Sequence, residues 1–421
     1  MTENNSGLPN QNPFRTRREQ RMAETFVKAM STGIPKVMPT ISSNTPEEIK
    51  AARIHHGNGM TVDDLLRRVV TDGASDLHLS CNTKPRYRVD GDLIDVPDTT
   101  EITDEWLKLQ MQTVVPPTIW ETFLEDGEAD LSYALKDEQR DWGRFRVNIF
   151  KQRGTTASVM RTIPTKIKTI AELGVPDSLN DLVKKKKGLI LVTGPTGSGK
   201  STTLTAMLDA INESRREHIV TIEDPIEFVH TNKKSLVNQR EVGTDTLSFS
   251  EALKRVLRQD PDVILIGELR DAETISTALT AAETGHLVFG TLHTQSAVKT
   301  IDRIIDSFPP AQQGQVRSQL SDTLQAVVAQ ALVKKVGGGR VASTEIMVRT
   351  PAIANQIREG KIPQINNDIS GGRSKGMHTL DQDLIKLVKE GLVDKDEAIP
   401  LMSNPADLEG IVAKANNDWG F

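Results

Sequence analysis

The octet Gly194-Pro195-Thr196-Gly197-Ser198-Gly199-Lys200-Ser201 constrains this chain more than any other feature. It has the G-x-x-x-x-G-K-[ST] spacing of a phosphate-binding loop, and its flanks are those the motif needs. The apolar run at 188–192 reads as a buried strand before it, and Leu204, Met207, Leu208 and Ile211 recur at the spacing of one helical face after it. Strand, glycine-rich turn and helix start therefore follow in order. Glycines let backbone N–H groups converge on phosphate oxygens, with the positive end of the helix behind them. Lys200 would reach the terminal phosphates, the Ser201 hydroxyl would hold Mg²⁺, and the octet with Thr202 forms the candidate cradle for ATP.

The 421 residues suggest two or three domains, at roughly 150 residues each. An apolar content of 37% excludes wholesale disorder. Aromatics at 4% argue against base-stacking platforms, and a net charge of −5 gives no basic field, so no nucleic-acid partner is expected. Cys81 alone excludes a disulfide framework and a four-cysteine zinc site within the chain, and fits a reducing cytoplasm. With no apolar run near ~18 residues and no leader-like segment, the expectation is a chain that neither spans a membrane nor is secreted.

Residues 1–57 read as a flexible extension rich in Asn, Gln, Ser, Thr and Pro, interrupted by a basic stretch. The 58–164 segment mixes helix and strand signals without a βαβ rhythm, as in a small α+β domain. Val62, Leu65, Leu66, Val69 and Val70 form a helical stripe there, and Asp90-Gly91 is a hairpin signal. Pro and Gly residues bracket a linker at 165–187. From 188 to 395 strands alternate with helices, which means a parallel sheet covered on both faces, an α/β fold. Its strand candidates are 189–192, 219–222, 263–266 and 287–289. After Gly337-Gly-Gly339 the pattern is expected to turn helical, and 396–421 reads as a tail.

In such a sheet ligands sit at the carboxyl ends of the strands. Those ends carry Glu223-Asp224, Gly267-Glu268 and Thr291-Leu-His293. Asp262 lies at the other end of its strand, so Glu268 is the candidate for orienting Mg²⁺ or polarising the attacking water, with Glu223 the alternative base. Sequence does not divide those roles. His293 could donate to a γ-phosphate.

The octet, Thr221-Ile-Glu-Asp-Pro-Ile-Glu-Phe-Val-His230, Ile266-Gly-Glu-Leu-Arg-Asp271 and Thr284-Gly-His-Leu-Val-Phe-Gly-Thr-Leu-His-Thr294 together resemble the Walker A, Asp, Walker B and His boxes of the secretion and type IV pilus ATPases. Ala74-Ser-Asp-Leu-His-Leu79 and Arg144-Phe-Arg-Val-Asn148 resemble the same family's amino-terminal domain, and the likeness is strongest to its PilT-type retraction members. It implies a PAS-like domain followed by a RecA-like P-loop motor domain, assembled as a homohexamer on the cytoplasmic face of the inner membrane. It also implies an inner-membrane platform protein as partner, with a paralogous retraction ATPase as a further candidate, and nucleotide held between the domains. Arg146 and Arg161 are then the expected nucleotide contacts from the small domain, with Arg144 and Arg153 as further candidates. Two departures stand out. Residues 1–57 are an addition, and the retraction motif A-I-R-N-L-I-R-E reads Ala352-Ile-Ala-Asn-Gln-Ile-Arg-Glu359, where Arg358 and Glu359 are expected to project toward a partner. Rival readings are a pilus-extension or secretion ATPase, a nucleic-acid translocase built on the same fold, and a non-hydrolysing regulatory subunit.

Overall fold

The computed structural model describes residues 60–408, apart from Asp90, Gln139, Pro164 and Thr165. The extension at 1–57 and the last residues of the expected tail lie outside the described residues.

The small domain runs α1 (Val62–Thr71), β1 (Asp76–Ser80), β2 (Arg86–Val89), β3 (Asp92–Asp95), α2 (Asp104–Val114), α3 (Pro117–Asp126), β4 (Glu128–Lys136), β5 (Asp141–Gln152) and β6 (Thr155–Ile163). Thr61 caps α1 in a reciprocal box with Asp64, and Val62, Leu65, Leu66 and Val69 are buried, so the expected stripe is its core face. Val89 pairs with Asp92 across the expected hairpin turn. The strands form one antiparallel sheet in the order β3-β2-β1-β6-β5-β4. Phe145, Val147 and Ile149 are buried against the helices. The two-residue period of a strand then turns Arg144 and Arg146 to the opposite face, where Arg146 pairs with Arg161. This arginine-bearing face meets the following domain, where Arg144 pairs with Glu241.

The motor domain has α4 (Leu179–Leu182), β7 (Gly188–Thr193), α5 (Lys200–Ser214), β8 (His218–Glu223), β9 (Leu236–Glu241), α6 (Phe249–Val256), β10 (Val263–Ile266), α7 (Ala272–Glu283), β11 (Leu287–Leu292), α8 (Ala297–Asp306) and α9 (Pro310–Thr323). The hairpin β12 (Leu324–Lys334) and β13 (Arg340–Val348) follows, then α10 (Pro351–Glu359), α11 (Ile365–Gly371), α12 (Leu380–Lys389) and α13 (Lys395–Ala398). The sheet order is β13-β12-β7-β11-β10-β8-β9, parallel throughout except for the β12–β13 pair. The four expected strands are its centre, and both faces are covered by buried side chains of the flanking helices. Each fully buried Leu or Ile there contributes about 1.5–3 kcal/mol.

After the triple glycine the chain does turn helical, but only from Pro351 on; a strand not expected from the sequence comes first. Gly337, Gly338 and Gly339 all have positive φ (83°, 101° and 77°) and close a hairpin into β13. Ser343, Thr344 and Glu345 are buried in that strand. Polar residues at core positions erased the apolar period by which a strand is recognised. The 165–187 segment contributes Ile170, Val175, Leu179, Leu182 and Val183 to the motor core. Beyond residue 395, Ala398, Met402 and Leu408 pack with Val333, Leu384 and Leu387 in a small satellite core.

Candidate functional site

All six residues of β7 are buried, and the chain leaves Thr193 directly into the glycine loop. Gly194 has φ 142°, and a Cβ there would strike the Gln330 carbonyl and come within 2.6 Å of Ser198 Oγ. Gly199 has φ 87°, and its Cβ would lie 2.8 Å from Gln330 Nε2. The loop thus needs glycine for conformation and for close approach to β12. Gln330 reinforces that approach: its Nε2 donates to Ser198 O at 2.7 Å, and its Oε1 accepts from Thr203 Oγ1 at 2.8 Å. Asp271, Ser296 and Thr350 cap other helices of this domain, whereas α5 begins at Gly199 with no side-chain cap. Its first N–H groups are left for an anion. Lys200 Nζ donates to the carbonyls of Gly194 (2.8 Å) and Pro195 (3.1 Å). Burial pulls its pKa down, against the opposing charges of Glu268 and Glu227.

Parallel register brings the acids to the same edge. Ile266 pairs with Ile222 on one side and Gly290 on the other, so Glu268, Glu223 and His293 leave neighbouring strand ends. Glu268 bonds Arg270 at 2.7 Å and His293 Nε2 at 3.1 Å. Burial works to raise its pKa, but the Arg270 hydrogen bond and charge, with His293, hold it below the ordinary carboxylate value. Glu223 is different. Burial pushes it up, although Thr221 Oγ1 (2.6 Å) and Gln239 Nε2 (3.1 Å) donate to it. Two carboxylates on one edge are therefore poised differently by their surroundings.

These groups open on a cleft of about 520 Å³, within the range of small-molecule sites. Thr196, Gly197, Gly199, Lys200, Ser201 and Thr202 line it, as do Glu223, Glu268 and His293. Gly194 and Ser198 are buried beneath, and Pro195 is exposed beside it. Of the four arginines expected from the small domain, Arg161 lines the cleft while binding Asp76 at 2.6 Å. Arg144 instead pairs with Glu241 at 2.9 Å. Arg146 is exposed and lies outside the cleft lining, and Arg153 occupies the β5–β6 turn with φ 48°. The cleft also holds Glu227, Arg270 and Arg340, which sequence reasoning did not single out. Glu227 and Arg270 stood inside recognised boxes, but Arg340 was hidden by the misread hairpin.

The oxygen donors present suit Mg²⁺: the Ser201 hydroxyl with the carboxylates of Glu268, Asp224 and Glu227, all hard ligands. Among the described residues no group of three or more His, Cys, Asp and Glu forms a self-contained metal site. An ion here would have to draw ligands from nucleotide phosphates as well.

Residues 58–393 match the family model described as "Type II/IV secretion system protein". The chain belongs to this family. It is 53% identical over 341 residues to the type IV pilus retraction ATPase PilT of Pseudomonas aeruginosa, spanning 80% of this chain and 97% of that one. It is 50% identical over 317 residues to a twitching motility protein of Neisseria gonorrhoeae, spanning 75% and 83% of the two chains. Its fold matches the crystal structure of the pilus retraction motor PilT with bound ADP at a TM-score of 0.77 and 45% identity, covering 83% of this chain and 99% of that one. Family members share the RecA-like P-loop architecture, and among the described residues no helix is long and apolar enough to cross a membrane.

The stretch that resembles a retraction motif falls on α10, where Ile353, Ala354 and Ile357 are buried. Ala354 is 4% exposed, so an arginine at this place would overpack the present core. Arg358 pairs with Asp322 at 2.7 Å, and Glu359 with Lys361 at 2.7 Å, both as exposed ion pairs.

Proposed function

We propose that this chain is the ATP-hydrolysing subunit of a homohexameric motor that powers type IV pilus retraction, and so twitching motility. It works at the cytoplasmic face of an inner membrane, against a platform protein and with a paralogous retraction ATPase as a candidate companion. The reading rests on one observation above others. An uncapped helix start with Lys200, a Glu268 kept anionic by Arg270 and His293, and an arginine from a second domain line a single cleft.

In this reading residues 58–164 form the PAS-like lid, 188–395 the motor with its helical carboxy-terminal part, and 165–187 the connection between them. Glycine-loop N–H groups and Lys200 bind the phosphates, Lys200 exchanging the carbonyls of Gly194 and Pro195 for more strongly charged acceptors. Mg²⁺, held by Ser201 and Glu268, would supply charge neutralisation on the phosphates. Glu268 is suited to that task because it stays ionised. Glu223, with its raised pKa, and Glu227, exposed at the cleft, are the groups placed to orient and deprotonate a water. His293 links Glu268 to the solvent-facing rim and is placed to report on the terminal phosphate. Work arises because ATP binds open and closed arrangements with different affinity.

The decisive experiment pairs ATPase activity of the purified chain, with and without Mg²⁺, with a deletion strain. Mg²⁺-dependent turnover together with excess surface pili and lost twitching supports the proposal. Bald cells would assign the motor to extension or secretion. Strong stimulation by DNA would favour a translocase; against it, in the run of four lysines at 184–187, Lys184 and Lys186 pair with Asp181 and Glu217.

A further inference from the structure

Glu241, the last residue of the edge strand β9, is 2% exposed yet carries a carboxylate. A buried carboxylate persists only where its lone pairs are satisfied, and here the partners come from two domains. From the small domain, Arg144 Nη2 donates to Oε2 at 2.9 Å, and Ser132 Oγ lies 2.8 Å from Oε2 and 3.0 Å from Oε1. From the motor domain, the backbone N–H of Ile226 donates to the same Oε2 at 3.1 Å. Ile226 is the fourth residue of Glu223-Asp-Pro-Ile-Glu227, and Glu227 beside it lines the nucleotide cleft. Asp245 Oδ2 accepts from the Glu241 N–H at 2.8 Å and Thr244 Oγ1 donates to Oε1 at 3.4 Å, so the carboxylate is anchored on its own side.

We propose that Glu241 is a positioning residue that couples the placement of the small domain to the shape of the acidic loop 223–227, and thereby to turnover. Its carboxylate bonds no group that lines the nucleotide cleft, although its backbone pairs with Glu223 across β8 and β9. Oε2 is shared between a small-domain guanidinium and an acidic-loop amide, so displacing one alters the field and geometry felt by the other. Arg144 thus acts through Glu241 within its own subunit. Ser132, which bonds the same carboxylate and lies outside the cleft lining, belongs to the same device.

The proposal rests on the ATPase reading for its kinetic arm alone. The test uses the full chain and three variants, Arg144→Ala, Arg144→Lys and Glu241→Gln, with oligomeric state checked by size-exclusion chromatography. Amide hydrogen exchange across 224–229 needs no turnover. It should quicken about tenfold in Arg144→Ala and return most of the way in Arg144→Lys, whose ammonium keeps the charge. In kinetics, kcat should fall about tenfold in Arg144→Ala while KM for ATP moves less than about threefold. Arg144→Ala combined with Glu241→Gln should cost no more than the worse single variant. Unchanged exchange at 224–229 in Arg144→Ala would overturn the coupling. A raised KM with additive effects would also overturn it, because Arg144 would then bind nucleotide rather than position a loop. Should Glu241→Gln fail to fold, Ser132→Ala takes its place in the cycle. A wild-type chain without ATPase activity would sink the proposed function, while the exchange result would still decide the coupling.

Discussion

Gln330→Ala tests the claim that the phosphate loop is shaped by a strand that follows it by more than a hundred residues. The side chain is buried at 4% exposure, and truncation strips the Ser198 carbonyl and the Thr203 hydroxyl of their partner. Both residues are themselves buried, at 3% and 2%, so water is a poor substitute. An unsatisfied buried polar group costs about 1–3 kcal/mol. Thr203 can rotate its hydroxyl toward a carbonyl of the preceding turn, as helical threonines do, which leaves the Ser198 carbonyl alone unsatisfied and a net loss of about 1–3 kcal/mol. At roughly 2–4 °C per kcal/mol for a domain of this size, Tm should fall by ~2–12 °C. Freed from its clamp, the loop should also bind ADP about tenfold more weakly, equivalent to about 1.4 kcal/mol. Scanning calorimetry of the apo protein and titration with a fluorescent ADP analogue read the two effects separately. Unchanged Tm and affinity would mean that the glycines hold the loop unaided. A lower Tm with unchanged affinity would leave Gln330 as a prop of the fold and refute its role in shaping the cradle.

Lys200→Ala should lose measurable ATP binding while the circular dichroism spectrum is retained, since Lys200 Nζ bonds loop carbonyls and no core group. Glu268→Gln should keep nucleotide binding and lose at least about a hundredfold in turnover; comparing it with Glu223→Gln and Glu227→Gln in single-turnover assays identifies the base, and normal turnover in Glu268→Gln would remove it from the mechanism. Arg270 and His293 hold Glu268 below its ordinary 4.5, so the stabilisation of its anion is present above that value and lost as pH falls through the folded pKa. Arg270→Ala should therefore shift the acid limb of the ATPase pH profile to higher pH, and an unmoved limb would show that another group sets it. Asp76→Asn, which releases Arg161, should tighten ATP binding about two- to fivefold while Arg161→Ala weakens it; equal affinities in both would exclude Arg161 from the closed cleft.

The site was more legible than the fold around it. Lys200, Ser201, Glu268 and His293 could be placed because each sits where a parallel strand ends, and those strands are short apolar runs that advertise themselves. What escaped was written in longer-range terms. Gln330 lies in an alanine-rich strand whose residues read equally well as helix, and its importance appears only when β12 is docked beside β7. Arg340 follows a glycine run that marks a hairpin only if the next nine residues form a strand, and its three buried polar positions conceal that. The arginines of β5 and β6 all read alike as one clamp, because sequence gives the face on which they lie but not the partner each meets. Arg144 meets a buried carboxylate and Arg161 the cleft.

That difference between two arginines of one sheet face bears on how the motor moves. The Arg144 side chain is 23% exposed and that of its partner Glu241 3%, so removing one member leaves a desolvated charge, at a cost of about 3–5 kcal/mol. Arg161 is 70% exposed and binds Asp76 through Nε. Asp76 is itself 5% exposed but keeps the Ser75 hydroxyl at 2.7 Å when the arginine leaves, and the guanidinium that leaves is already hydrated, so this contact is the weaker of the two. A nucleotide whose differential affinity for the closed state is of the order of 1–3 kcal/mol can draw Arg161 off Asp76, yet it cannot pull Arg144 from Glu241. The small domain is thus anchored beside the acidic loop and free beside the phosphates. Closure that obeys this ordering is a swing about the Arg144–Glu241 contact, in which Arg161 travels furthest and the acidic loop is turned rather than released. Each closing stroke would then re-aim Glu223 and Glu227 as it brings positive charge to the cleft, so that hydrolysis is timed by domain position. Spin labels on the two domains should report an ATP-dependent distance change that survives Arg161→Ala in reduced amplitude and collapses in Arg144→Ala. Persistence of the full change without Arg144 would show that the pivot lies elsewhere.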